Sequence, residues 1–304
     1  MHGAEAIDSD VILTEFPDEL GLVLWKSVRS VRLWAEVADN ERSSTFSPAA
    51  PATRQQLIES ASVPEELRAP LAKVAAVLQR RARSASVAGG CRAIAAWAEE
   101  RGAMGTAIEF LQAVAVALPK DAEAAYEVGR IARARTEYQR AETWFRQAVS
   151  RARRSQNRYE FARSYIGLGN VAILRGNFPQ AKKNLIRGLR AAKRFSLRPL
   201  IGAAYQEMAV VAMRTNSATD AHRFTRAALE ASGSDNPKLP CLVYEYGIFL
   251  LDSGHYREAL RTIASVPVDI INPLERLERA AAVVKAAAAA GEREAYEAAW
   301  REAG

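Results

Sequence analysis

Residues 165–188 read YIGLGNVAILRGNFPQAKKNLIRG. Within this stretch Gly169 is followed twelve positions later by Ala181, and Gly176-Asn-Phe178 lies between them, making a Gly-x-aromatic-x-x-Ala pattern. The pattern returns as Gly254-His-Tyr256-Arg-Glu-Ala259 and, more weakly, as Thr136-Glu-Tyr138-Gln-Arg-Ala141. A small residue stands twelve positions before each alanine: Gly129 before Ala141, Gly169 before Ala181, Ala209 before Ala221 and Gly247 before Ala259. Successive alanines are 40, 40 and 38 residues apart. Stacked helix pairs produce such a period, because each pair buries its apolar face on its neighbours.

The spacing has a physical cause. The small residues mark where the first helix of a pair crosses the second, so that the backbones approach closely. Larger side chains such as Tyr165, Leu168 and Leu185 fill the flanks. The glycine before the aromatic ends the first helix and permits the turn. Working outward, helix pairs are expected at Cys91–Arg101 with Thr106–Leu118, Asp121–Arg135 with Glu137–Arg153, and Tyr159–Arg175 with Pro179–Arg194. Further pairs follow at Pro199–Arg214 with Thr219–Ser232, Cys241–Ser253 with Tyr256–Ser265, and Leu274–Ala290 with Glu292–Ala303. Residues 88–304 thus form one repeat domain of five to six helix pairs.

Residues 1–87 read differently. Residues 1–12 are expected to be a weakly structured lead. Phe16-Pro17-Asp18-Glu19 resembles a helix start, and Leu20, Leu24, Val28, Val31, Trp34 and Ala38 follow at helical spacing. Asn40 to Thr53 reads as a loop. Short helices are expected over Arg54–Ser60 and from Pro64 to about Arg83, with Pro70 kinking or restarting the second. Ser84 to Gly90, small and flexible in composition, marks the boundary of an N-terminal helical module. That module caps the first repeat or serves as a docking or dimerisation element. No helix-turn-helix spacing is found in 16–87.

The 304 residues carry a net charge of +7. Arg130 to Arg198 holds 18 Lys/Arg against 3 Asp/Glu, whereas the remainder holds 24 against 32. The chain therefore has a basic middle and acidic ends, which bears on partners more than on fold. The longest apolar stretches, Ala280–Val284 and Ala286–Ala290, are split by Lys285 and fall far short of the roughly 20 residues that span a bilayer. No signal peptide is read at Met1–Asp10, and Cys91 and Cys241 form no paired motif, so a cytoplasmic protein is expected.

The copy running from Tyr165 through Gly169, Ala172, Gly176, Phe178 and Ala181 to Leu185 and Gly188 resembles the tetratricopeptide repeat, over about residues 88–304. The usual period of that family is 34 residues, kept here only from Ala107 to Ala141; the later copies resemble its extended members. The resemblance implies an all-α, right-handed α-α superhelical solenoid, non-catalytic and without cofactor or metal. It also implies a concave face lined by first-helix side chains that binds a protein or peptide segment. Carried onto this sequence, that face comprises Tyr126, Arg130, Arg133, Arg163, Ile166, Asn170, Ile173, Gln206, Val210, Met213, Tyr244, Ile248 and Leu251. An amide at Asn170 suits a peptide bond, since it donates and accepts at once. Tyr126 and Ile166 occupy a position that is basic in the members that clamp chaperone tails, so such a tail is not the expected ligand. The bland alternative is ordinary lining with no dedicated ligand, and a third possibility is a peptide-responsive regulatory sensor.

A basic belt is the second candidate surface. Arg151 and Arg154 cluster at one connection, and Lys183, Arg187, Arg190 and Arg194 fall at i, i+4, i+7 and i+11. The stripe suits nucleic-acid phosphates, an acidic protein, the chain's own acidic ends or plain solvation. Catalysis has little support: the histidines are His2, His222 and His255, and no glycine-rich loop follows a strand.

Overall fold

The computed structural model describes residues 9–37, 62–78, 82–232, 239–266 and 273–303. All regular structure among them is helical. The chain divides into two compact units, one ending at Val171 and the other beginning at Ala172. The expected helix Arg54–Ser60 and the loop Asn40–Thr53 lie outside the described residues.

The first unit opens with α1 (Ser9–Glu15) and α2 (Glu19–Glu36), then α3 (Glu65–Ala75) with a 3-10 turn at Ala76–Leu78. The repeats follow as α4 (Ser84–Glu100) with α5 (Met104–Ala117), α6 (Ala122–Ala134) with α7 (Tyr138–Arg154), and α8 (Arg158–Leu174), whose last turn belongs to the second unit. That unit continues with α9 (Phe178–Arg194), α10 (Arg198–Arg214) with α11 (Ala218–Ser232), α12 (Leu239–Asp252) with α13 (Tyr256–Ala264), and α14 (Pro273–Ala290) with α15 (Arg293–Ala303). Except for α4, which begins seven residues before the expected Cys91, the repeat helices lie within about two residues of the expected bounds. The all-α class and the packing of neighbouring helices in pairs are as read from the periodicity.

Three expectations near the N-terminus need correction. The lead is helical from Ser9, because Ile12 is fully buried and the Glu15 carboxylate accepts the Gly105 and Thr106 amides at 2.8 and 2.7 Å. A carboxylate there satisfies two unpaired donors at the start of α5 and faces the positive end of its dipole. Pro70 does not restart the helix, since α3 runs from Glu65 through it to Ala75. Ser84–Gly90 is the first half of α4 rather than a flexible stretch. The cause lies in Gly90, which is buried: a Cβ there would meet the Pro70 carbonyl oxygen at 2.7 Å, so the missing side chain lets α3 and α4 approach.

The small residues do what the period demands. Ala141, Ala181, Ala221 and Ala259 are all fully buried. A Cβ at Gly247 would come within 2.5 Å of Ile263, and one at Gly129 within 2.9 Å of the Phe145 ring. Phe145, on α7, is closed from a second side by Gly167 of α8, where a Cβ would also lie 2.9 Å from the ring. The Phe145 ring is fully buried and lies 5.2 Å from the Tyr126 ring.

The turns share one device. One or two residues after each first helix the backbone takes a left-handed φ: 75° at Gly102, 62° at Thr136, 70° at Gly176, 54° at Asn216, 81° at Gly254 and 74° at Gly291. The next amide then bonds back to the carbonyl five residues earlier, as in Asn177 to Ala172 and His255 to Leu250, both at 2.8 Å. Thr136 carries a β-branched side chain in this region, where side chains are penalised. Thr136→Gly should therefore raise the unfolding free energy by about 1 kcal/mol, read as a higher urea midpoint at unchanged slope.

Candidate interaction surface

In the first unit, the face carried over from the resemblance is built by α4, α6 and α8. Helical spacing places Tyr126, Arg130 and Arg133 on one side of α6, and Arg163, Ile166 and Asn170 on one side of α8. Arg130 sits between two carboxylates. Its Nη1 and Nη2 donate to Glu99 of α4 at 2.6 and 2.5 Å, and its Nε donates to Glu127 at 2.6 Å. Glu127 also accepts from Arg163 Nη2 at 3.1 Å, and Arg163 Nη1 donates to Glu160 at 3.2 Å. The Arg163 guanidinium lies 3.8 Å from the centroid of the Tyr126 ring, a cation–π contact. Arg133 Nη1 donates to Asn170 Oδ1 at 2.7 Å. Charge thus alternates along Glu99, Arg130, Glu127, Arg163 and Glu160, with each arginine reaching the preceding first helix.

These contacts set the ionisation of the row. The Arg130 hydrogen bonds hold the Glu99 carboxyl below its ordinary value, and the same pair raises the Arg130 guanidinium. Burial pushes Glu160 the other way, up, against the pull of Arg163. Its Oε2 is buried without a hydrogen-bond partner. Burial likewise raises the Tyr126 hydroxyl. Ile166 is only 8% exposed, so its side chain belongs to the packing beneath this row.

The second unit holds the remaining predicted residues. Ile173, Gln206, Val210, Met213, Tyr244 and Ile248 are half-buried, and Leu251 is buried. Met213 packs on two apolar clusters that contain Ala209, Ala212, Ala221 and Ala228. Tyr244 and Ile248 pack on Ile263, Ala282, Val283 and Ala299, and burial raises the Tyr244 hydroxyl. This stretch is mainly apolar, whereas the first unit's row is charged.

The basic belt divides as well. Arg151 is half-buried; its Nη1 donates to the Ala115 and Asp121 carbonyls at 3.0 and 3.3 Å, and burial lowers its pKa. It ties α7 to the end of α5. Arg154 is exposed at the end of α7. Lys183, Arg187, Arg190 and Arg194 are all exposed along α9, and the Arg194 guanidinium stands 5.5 Å from the Phe195 ring.

Among the described residues, the other reactive side chains form no recognisable site. Cys91 is buried and its thiol is pushed up to about 12 by that burial, which makes it a poor nucleophile. His222 Nδ1 lies 2.9 Å from the Tyr246 hydroxyl and 3.8 Å from Glu258. Burial, with Glu258 beside it, pushes that hydroxyl up to about 12. Among the described residues no three His, Cys, Asp or Glu side chains converge as metal ligands, and no helix is long and apolar enough to cross a membrane.

Sequence reasoning missed the carboxylates of the row. Two were visible: Glu127 and Glu160 stand three residues before Arg130 and Arg163, a spacing that pairs charges on a helix. Glu99 lies 31 residues from Arg130 and becomes its partner only through the packing of α4 on the later repeat.

No family model matches the chain. No curated protein matches it. In structure it is similar to PilF of Pseudomonas aeruginosa, with a TM-score of 0.55 at 15% identity over 71% of this chain and 90% of that one. It is also similar to the apo form of RapI, with a TM-score of 0.58 at 11% identity over 93% of this chain and 86% of that one. Both are tetratricopeptide-like helical repeat proteins, and at these identities the likeness shows the fold.

Proposed function

We propose that this chain, folded as tetratricopeptide-like helix pairs, is a non-catalytic cytoplasmic adaptor of the extended-repeat variety. It binds a protein or peptide segment along the exposed side of its first helices. The observation that carries this reading is the row of Tyr126, Arg130, Arg133, Arg163 and Asn170. These side chains are half-exposed, yet held by hydrogen bonds and ion pairs between successive first helices. Side chains already ordered lose little entropy on binding, and alternating charge gives a partner its register.

The test is capture from native lysate at moderate salt, with nuclease, using wild type beside Arg133→Ala/Asn170→Ala. This pair is preferred to Arg130, whose loss would take the cation from Glu99 and leave Glu127 with Arg163 alone, confusing binding with stability. The expected result is a discrete protein retained by wild type and lost by a variant that melts at the same temperature. Equal retention by both would remove the row from the binding surface. Recovery of nucleic acid, with every protein lost to nuclease, would overturn the adaptor reading.

A further inference from the structure

Several cations among the described residues are neutralised internally. Arg130, Arg140 and Arg163 in the first unit, and Arg223, Arg226 and Arg293 in the second, each stand within ion-pair distance of a carboxylate. Helix α9 is built otherwise. Its exposed side chains are six Lys or Arg together with Pro179 and Ile186. Among the described residues, no carboxylate lies within ion-pair distance of Lys183, Arg190 or Arg194. The wider sequence is equally one-sided: nine Lys/Arg and no Asp/Glu lie between Glu160 and Glu207.

Lys183, Arg187, Arg190 and Arg194 advance by four, three and four residues, which sets them roughly 6, 4.5 and 6 Å apart along the axis. The two side-chain amides of the helix are turned to each other, with Gln180 Nε2 donating to the buried Asn184 Oδ1 at 3.3 Å. The face therefore offers cations and a little apolar surface, with no amide for reading base edges.

We propose that this face of α9 binds the phosphate backbone of duplex nucleic acid without regard to sequence. The row on α6 and α8 carries charges of both signs, which can fix the register of one protein partner, whereas α9 carries one sign only. A uniform row fits a ligand whose charge is itself uniform and repeated, and binding draws its free energy from displaced counterions.

The experiment is fluorescence anisotropy of a labelled duplex of arbitrary sequence with the full chain, at several salt concentrations. Four phosphate contacts give a slope of log K against log salt of about −4, so that affinity falls roughly a hundredfold between about 50 and 200 mM salt. Lys183→Glu/Arg190→Glu should weaken binding by more than about tenfold and make the slope shallower by about 2. Arg223→Glu/Arg226→Glu, an equal charge change at exposed positions already paired with Asp220 and Glu230, should change affinity by less than about threefold. All four positions are exposed, and melting curves check that each variant is folded. Absence of binding near 50 mM salt would overturn the proposal. So would equal losses in the two variants, which would reduce the effect to net charge. Displacement of the duplex by polyglutamate as readily as by unlabelled duplex would assign the face to an acidic protein instead.

Discussion

Phe145→Ala should lower the unfolding free energy by about 3–5 kcal/mol, the range for removing a buried aromatic ring. The upper part of the range is expected because the neighbouring walls cannot move in. The ring is fully buried, and two of its flanks are Gly129 on α6 and Gly167 on α8, which have no side chains to swing into the void. It also touches Tyr126, whose ring carries the Arg163 guanidinium, so the loss should loosen the charged row as well as the core. Urea unfolding followed by circular dichroism measures the first effect. A cost below about 1 kcal/mol would show that α6 and α8 close over the gap, and that Phe145 is not what separates them.

The second large effect concerns the attachment of α2 to the repeats. Arg32 is 7% exposed, and its Nη2 donates to Glu109 of α5 at 2.6 Å and to Gln112 at 2.5 Å. Arg140 of α7 lies 3.7 Å from the other oxygen of the same carboxylate. Glu109→Leu keeps most of the volume but removes the carboxylate that Arg32 bonds in the core, at a cost of about 3–5 kcal/mol. Replacing both partners, Arg32→Met with Glu109→Leu, removes the buried charges together and should recover most of that loss. Thermal melting of the two variants decides it. If the double variant is no more stable than the single one, the pair does more than neutralise itself, and α2 depends on it for placement.

The two effects arise from different levels of information. Gly129, Ala141, Gly169 and Ala181 announced helix crossings because a period of 38–40 residues is a covalent property of the chain, open to inspection before folding. The turns at Gly176 and Gly254 were legible for the same reason: a left-handed φ of 70° or 81° selects glycine locally. Even so, Thr136 and Asn216 take the same conformation without glycine, since the back-bonded helix end imposes it.

The candidate surfaces were legible only in part. The cations of α9 form a stripe whose exposure follows from helical geometry. The cations of α6 and α8 were equally visible, but their partners were not, because Glu99 meets Arg130 across 31 residues. The docking of Glu15 on the amides of α5 spans 90 residues and has no local signature at all. By itself the sequence determined the repeat, its turns and the sign of charge on each helix, since these depend on neighbours within a few turns. Tertiary structure alone decided that Arg151 caps a helix end, that the Arg130 row is internally neutralised, and that Phe145 fills the space left by Gly129 and Gly167. Those outcomes depend on which distant side chains packing brings together, and the charge or size of a residue does not specify its partner.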